Sequence, residues 1–170
     1  VPARCGVMCP FANRRLLCVL WVLLLHVASE AAPEPVAPVY DARDRVSLHG
    51  GWRFTLEGPG TDGFTSAAFD ESSWALLPVP ANWEPHGFGE FSYRRGSEEV
   101  GLYRRWIKIP STWAGKRICA YFEGVYASAE LWVNGERAGY HEGGYTSFGF
   151  EIDRFVRPGE RNLLCLRVAK

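Results

Sequence analysis

The sequence predicts an all-β fold, an antiparallel β-sandwich with Greek-key or jelly-roll connections. Three observations carry that expectation. First, apolar residues alternate with polar ones over short runs, as in Trp52-Arg53-Phe54-Thr55-Leu56-Glu57 and Phe148-Gly149-Phe150-Glu151-Ile152. That is the period of a strand with one buried face. Second, turn formers are dense, with 18 Gly and 11 Pro, and aromatics reach 14%. Aromatic and branched side chains suit a pleated surface, and Gly and Pro suit its turns. Third, Asn134-Gly135 sits between two alternating runs. This is a strong hairpin signal, because a type I′ turn needs φ > 0 at both central positions.

Residues 1–31 read as a secretory signal peptide, with an uncleaved amphipathic or anchor segment as the alternative, and are set apart from the fold. Arg14 and Arg15 form a basic start, Leu16 to Val27 is an apolar run, and Ala28, Ser29, Ala31 and Ala32 supply small residues after it. The run falls short of the about 20 residues that a membrane span needs. The expected compartment is therefore the secretory lumen or the outside, with no membrane attachment after cleavage. Residues 32–45 form a Pro-rich linker built on Pro33, Pro35 and Pro38. Residues 46–170 form the domain. Opening on Val1 and stopping at Lys170 inside a strand-like run, the chain reads as a fragment.

Within the domain the elements follow in order. Trp52, Phe54 and Leu56 mark a first strand. The turn cluster at 58–63 leads to an irregular stretch with one helical turn expected over 66–74. Residues 75–79 are extended and end at Pro80. A long loop over 81–101 carries Trp83, His86, Phe88, Phe91 and Tyr93, and loops of that length are usually functional or pinned by their own side chains. Leu102 to Ile109 is a strand with Tyr103, Ile107 and Ile109 on one face. Arg105 shares that face, which calls either for a buried carboxylate partner or for a bulge that turns it outward.

A strand over 117–122 leads into the hairpin. A two-residue loop pairs Val133 with Glu136, Leu131 with Ala138 and Ala129 with Tyr140. That register turns Leu131, Ala138, Ala129 and Tyr140 inward and brings Trp132 and Arg137 together on the other face. Phe148, Phe150 and Ile152 form the next strand. Leu164, Leu166 and Val168 line one face of the last. The sum is about eight short strands and no amphipathic helix, a sandwich or jelly-roll pattern.

Composition narrows the function. The formal net charge is zero and no basic cluster is interleaved with aromatics, which argues against nucleic acid as a partner. Cys5, Cys9 and Cys18 lie in the leader. Cys119 and Cys165 remain, suited either to a disulfide permitted by secretion or to burial as thiols; they have no metal-ligand spacing, and no metal or cofactor is expected. There is no G-x-S-x-G, no H-E-x-x-H and no Gly-rich phosphate loop opening a helix. His49, His86 and His141 are isolated. The acids Glu84, Glu90, Glu98, Glu99, Glu123, Glu130, Glu142 and Asp153 could pair as in a glycosidase, but a solvated or turn-capping role suits each of them better. Trp83, Phe88, Tyr93 and Trp113 are loop aromatics that either stack on sugar rings or pin their loops.

The segments SLHGGWRF, VPANWEPHGFG, GLYRRWIKIPSTWAGKRICAYFEGVYASAELWVNGERAGYHEGGYTSFGFEI and RPGERNLLCLRVAK resemble, in that order, the N-terminal sugar-binding domain of glycoside hydrolase family 2. The β-galactosidases are the most similar branch. The resemblance covers about residues 46–170. His49 departs from the family's usual Asn before Gly-x-Trp, a difference confined to a turn. The resemblance implies an antiparallel jelly-roll β-sandwich of the galactose-binding-domain-like type that packs on a (β/α)₈ barrel bearing two catalytic glutamates. Such a barrel needs about 250 residues, so no glutamate of this chain is expected to be catalytic.

The resemblance also implies that Asn82, in the V-P-x-N-W stretch, reaches the substrate sugar, with Trp83 beside it. A turn-capping role for Asn82 is the competing expectation. The function it implies is support of a secreted β-galactosidase acting on terminal β-galactosides with retention. A stand-alone carbohydrate-binding module and another family 2 specificity, β-glucuronidase or β-mannosidase, are the alternatives.

Overall fold

The computed structural model describes residues 4–11, 44–91 and 99–170. The apolar run Leu16–Val27, the linker at 33–38, Glu98 and Tyr93 lie outside them. The strands are β1 (Arg4–Phe11), β2 (Val46–Ser47), β3 (Gly50–Leu56), β4 (Ala75–Val79), β5 (Val100–Lys108), β6 (Arg117–Gly124), β7 (Ser128–Val133), β8 (Glu136–Glu142), β9 (Phe148–Glu151) and β10 (Arg161–Ala169). They form a four-stranded sheet, β2-β1-β6-β9, and a six-stranded sheet, β4-β3-β5-β10-β7-β8. Every pairing is antiparallel.

The alternation read from the sequence sets the core between the two sheets. Trp52 and Phe54 of β3, Tyr103 and Ile107 of β5, Leu164, Leu166 and Val168 of β10, and Ile118, Ala120 and Phe122 of β6 are buried together. Each large apolar side chain taken out of water contributes about 1.5–3 kcal/mol. A second, smaller core lies on the outer face of the six-stranded sheet. Leu102, Leu163 and Cys165 are covered there by Phe64 and Trp74, which hang from the 57–74 connection. That connection is a succession of turns, not the helical turn expected over 66–74. The second cover explains why β10 reads as the nearly continuous run LLCLRV: this strand is buried on both faces.

The hairpin turn forms as its dipeptide dictates, with Asn134 at φ 52° and Gly135 at φ 89°. Val133 faces Glu136 and Trp132 faces Arg137, as expected. The register then departs from the simple one. A bulge inserts Ala138, so Leu131 faces Gly139, Glu130 faces Tyr140 and Ala129 faces His141. Tyr140 points out, 51% exposed, instead of inward. The cause lies across the sandwich: a Cβ at Gly139 would stand 2.3 Å from Phe150 Cδ1. Only glycine leaves room for the Phe150 ring. The shift also turns His141 toward Phe148, on which its ring stacks at 3.9 Å.

Arg105 follows neither expectation. The β5–β10 register runs unbroken from Arg161 opposite Lys108 to Ala169 opposite Val100, so no bulge turns it away. Its partners are carbonyls: Nη1 donates to Leu48 O at 2.7 Å and His49 O at 2.9 Å. The buried arginine is its neighbour. Arg104 is 1% exposed, lies under the second core, and donates to the Glu71 carboxylate, Phe64 O and Ser66 O. Alternation put the question on the right strand but on the wrong face, because the cover over the outer face has no periodic signal.

Residues 4–11 fall within the expected leader, yet here they pair. Phe11 faces Arg117 and Cys9 faces Cys119, and Met8 faces Val46 on the other side. The physical reason is an open edge. The side of β6 away from β9 presents backbone donors and acceptors that an extended segment satisfies. Cys119 and Cys165 do not bond to one another; they stand in different sheets.

Candidate functional site

The loop that leaves β4 is the one that carries Asn82 and Trp83. It starts at the cis Val79–Pro80 peptide. Its first anchor is Trp83. The indole is 5% exposed and stacks on Phe54 with centroids 5.6 Å apart. The backbone of Gly101 lies beneath it, where a Cβ would come within 2.7 Å of Trp83 Cζ3. A short 3₁₀ turn, Glu84–His86, follows and ends at Gly87 with φ 87°. Phe88 then packs edge-on against Phe54 at 4.8 Å.

The second anchor is electrostatic. Lys170 Nζ lies 2.6 Å from Glu84 Oε1 and 2.6 Å from Glu99 Oε2. It also stands 4.9 Å from the Trp83 ring centroid. Glu99 uses its other oxygen to accept Glu90 N–H at 3.0 Å. Lysine has three protons to donate, and the third is directed at Glu90 O, 3.4 Å away. The hydrogen bond from Lys170, aided by that from Glu90 N–H, holds the Glu99 carboxyl below its ordinary range despite the cost of burial. Burial works to lower the Lys170 pKa. The hydrogen bonds to Glu84 and Glu99 outweigh it, and the net direction is upward.

Asn82 stands between these anchors and the end of β4. It is half-buried. Its side chain caps nothing: the 3₁₀ turn takes Trp83 as its N-cap and has no side-chain cap bond. Among the described residues the Asn82 amide makes no hydrogen bond. A carboxamide has two donors and two acceptor lone pairs, so a polar ligand would meet an unspent recognition group.

The other candidates are distributed as follows. Trp83 and Trp113 are buried and Phe88 is packed on the core, so these three pin their loops. His49 and His86 are exposed, and His141 is half-buried on Phe148. Glu84 and Glu99 are brought together, but around an ammonium. That arrangement spends both carboxylates on one shared cation, as an ion-paired anchor for the loop. Glu130 pairs with Arg137. No group of three or more His, Cys, Asp or Glu among the described residues could hold a metal ion. The residue that sequence reading missed is Lys170; it comes directly after β10, and nothing in its local sequence announces two carboxylates from distant positions.

Against known proteins, residues 46–170 match the family model described as glycosyl hydrolases family 2, sugar binding domain. A β-galactosidase of Thermoanaerobacter pseudethanolicus is 38% identical over 104 residues, which is 59% of this chain and 14% of that protein. A putative β-glucuronidase of Formosa agariphila is 29% identical over 136 residues, 74% of this chain and 12% of that one. The chain spans 12–17% of the length of such curated relatives. Among solved structures, a family 2 member from Bacteroides cellulosilyticus superposes with a TM-score of 0.58 at 28% identity, over 72% of this chain and 17% of that chain. The family match runs from the start of β2 to Lys170, and the chain belongs to glycoside hydrolase family 2 as its sugar-binding domain.

Proposed function

We propose that this domain supports a secreted family 2 glycosidase of β-galactosidase type and lends Asn82 to the sugar pocket. The carrying observation is the Asn82 amide, unspent yet fixed between the Pro80 corner and the Trp83 anchor. Trp83 acts here by holding Asn82, since its own ring is buried. In the whole enzyme a terminal β-galactoside would be hydrolysed with retention by two carboxyl groups outside this chain, through a covalent glycosyl-enzyme. The β-galactosidase relative at 38% identity supports that sugar.

β-Glucuronidase is the second reading, favoured by the relative from Bacteroides fragilis at 30% identity. Assay of the full-length enzyme on p-nitrophenyl β-galactoside and β-glucuronide separates the two. Asn82→Asp in that enzyme should lower kcat/KM on the preferred sugar by about a hundredfold, with melting unchanged. Unchanged catalysis would remove Asn82 from the pocket.

Secretion is part of the proposal and rests on the apolar run at 16–27 and the small residues after it. A cleaved leader takes Arg4–Phe11 with it and opens the β6 edge, so leader cleavage and β1 pairing exclude one another in a single molecule. Mass spectrometry of the exported protein should find its first residue at about 29–33. A mature protein that still carries residues 4–11 would sink the secretory reading.

A further inference from the structure

We infer that Lys170 is a positioning residue for the Asn82 loop, an inference that rests on the pocket role proposed for Asn82. Three distant parts of the chain meet at its ammonium: Glu84 and Glu90 from the loop after β4, Glu99 just before β5, and Lys170 itself at the end of β10. The loop is gripped at two points. Glu84 is held directly, and residue 90 is held through its carbonyl on Lys170 and its N–H on Glu99.

Between these two points lies the short 3₁₀ turn, and just before the first lies Trp83, with its ring 4.9 Å from the ammonium on one side and stacked on Phe54 on the other. Asn82 is one residue from Trp83 and two from Glu84. Among the described residues its amide has no hydrogen-bond partner, so its position is dictated by these neighbours.

The site is sheltered. The Lys170 side chain is 9% exposed and that of Glu84 13%. Removing the cation leaves two carboxylates facing one another without the counter-charge they share. They repel, and the cheapest relief is for the loop carrying Glu84 to move outward. That motion drags Trp83 and Asn82 with it. Arginine keeps the charge and can still donate to both carboxylates, whereas methionine keeps only the apolar stem.

The experiment uses the full-length enzyme with its preferred p-nitrophenyl glycoside. Lys170→Met should lower kcat/KM by about tenfold or more, since a small misplacement of a positioning group costs that much. The loss should fall mainly on KM, and Lys170→Arg should restore activity to within about threefold of wild type. Glu84→Gln, which keeps volume and an acceptor, should give a smaller loss of the same kind. It serves as the test if Lys170→Met does not fold. The proposal is overturned if folded Lys170→Met, or Glu84→Gln in its place, matches wild type in kcat/KM, or if Lys170→Arg is as impaired as Lys170→Met.

Asn82→Ala and hydrogen exchange at residues 82–90 separate the two claims. A silent Asn82→Ala with faster loop exchange in Lys170→Met refutes the pocket role and keeps the loop-holding one. A damaging Asn82→Ala with a silent Lys170→Met does the reverse.

Discussion

Asn134 Nδ2 donates to Asn162 Oδ1 at 2.8 Å, tying the tip of the β7–β8 hairpin to the start of β10. The link is reinforced on both sides. Asn134 also donates to Phe155 O at 2.8 Å and accepts from Leu163 N–H at 2.9 Å. Asn162, fully buried, accepts from Arg157 N–H at 2.7 Å and donates to Arg157 O and Glu160 O. An asparagine chosen by the turn for its positive φ thus spends its side chain on a second loop.

Asn162→Ala should therefore cost about 3 kcal/mol in denaturant unfolding, because it strands several buried backbone groups at about 1–3 kcal/mol each. Combined with Asn134→Ala, the total should be less than the sum by about 1 kcal/mol or more. Additive losses would show that the two amides act independently.

Arg104 and Arg105 offer a paired comparison on one strand. Arg104→Met should destabilise by about 3 kcal/mol or more, because it leaves the Glu71 carboxylate and the Phe64 carbonyl without their buried donor. Arg105→Met loses donors to two carbonyls at a partly solvated edge and should cost about 1–2 kcal/mol. Chemical unfolding of the two variants in parallel decides the order. A larger loss at Arg105 would contradict the placement of the outer core.

Cys165 is the test of that outer core by pH. Burial pushes its thiol up to about 12, against the opposing pull of Arg104. A thiol reagent at pH 8 should leave Cys165 untouched until the protein is unfolded, because the thiolate is the reactive form. The raised pKa has a linked effect on stability. Below the unfolded-state value, near 9.0, both states hold the proton and the contribution is complete. From there up to about 12 only the unfolded chain releases it, so stability falls as pH rises across that window. Cys165→Ala should flatten this part of the profile; an unchanged slope would show that other groups cause it.

Much of the fold was legible because its signals are local. The alternations at 52–57 and 148–152 and the Asn134-Gly135 turn each depend on residues within a few positions of one another. The errors arose where a contact from another layer intervened. Phe150 forces the extra residue at Ala138 by occupying the space over Gly139. The 57–74 connection covers a face of β5 that no local pattern marks as buried. The loop aromatics at 83, 88 and 113 were ambiguous for the same reason: a ring bound for a sugar and a ring bound for the core look alike until the core is built.

The sequence by itself determined the all-β class, most of the strands, the hairpin tip, and the family to which residues 46–170 belong. Those follow from period, turn chemistry and a string of motifs, all readable along the chain. Only the tertiary structure decided which arginine is buried, where the hairpin slips, that Asn82 caps nothing, and that Lys170 closes on Glu84 and Glu99. Arg104 is held by Glu71 and Phe64, 33 and 40 residues away, the slip is set by Phe150 of the opposing sheet, and Lys170 meets Glu99 from 71 residues away. Coulomb attraction and steric exclusion act through space, and sequence distance carries no record of them.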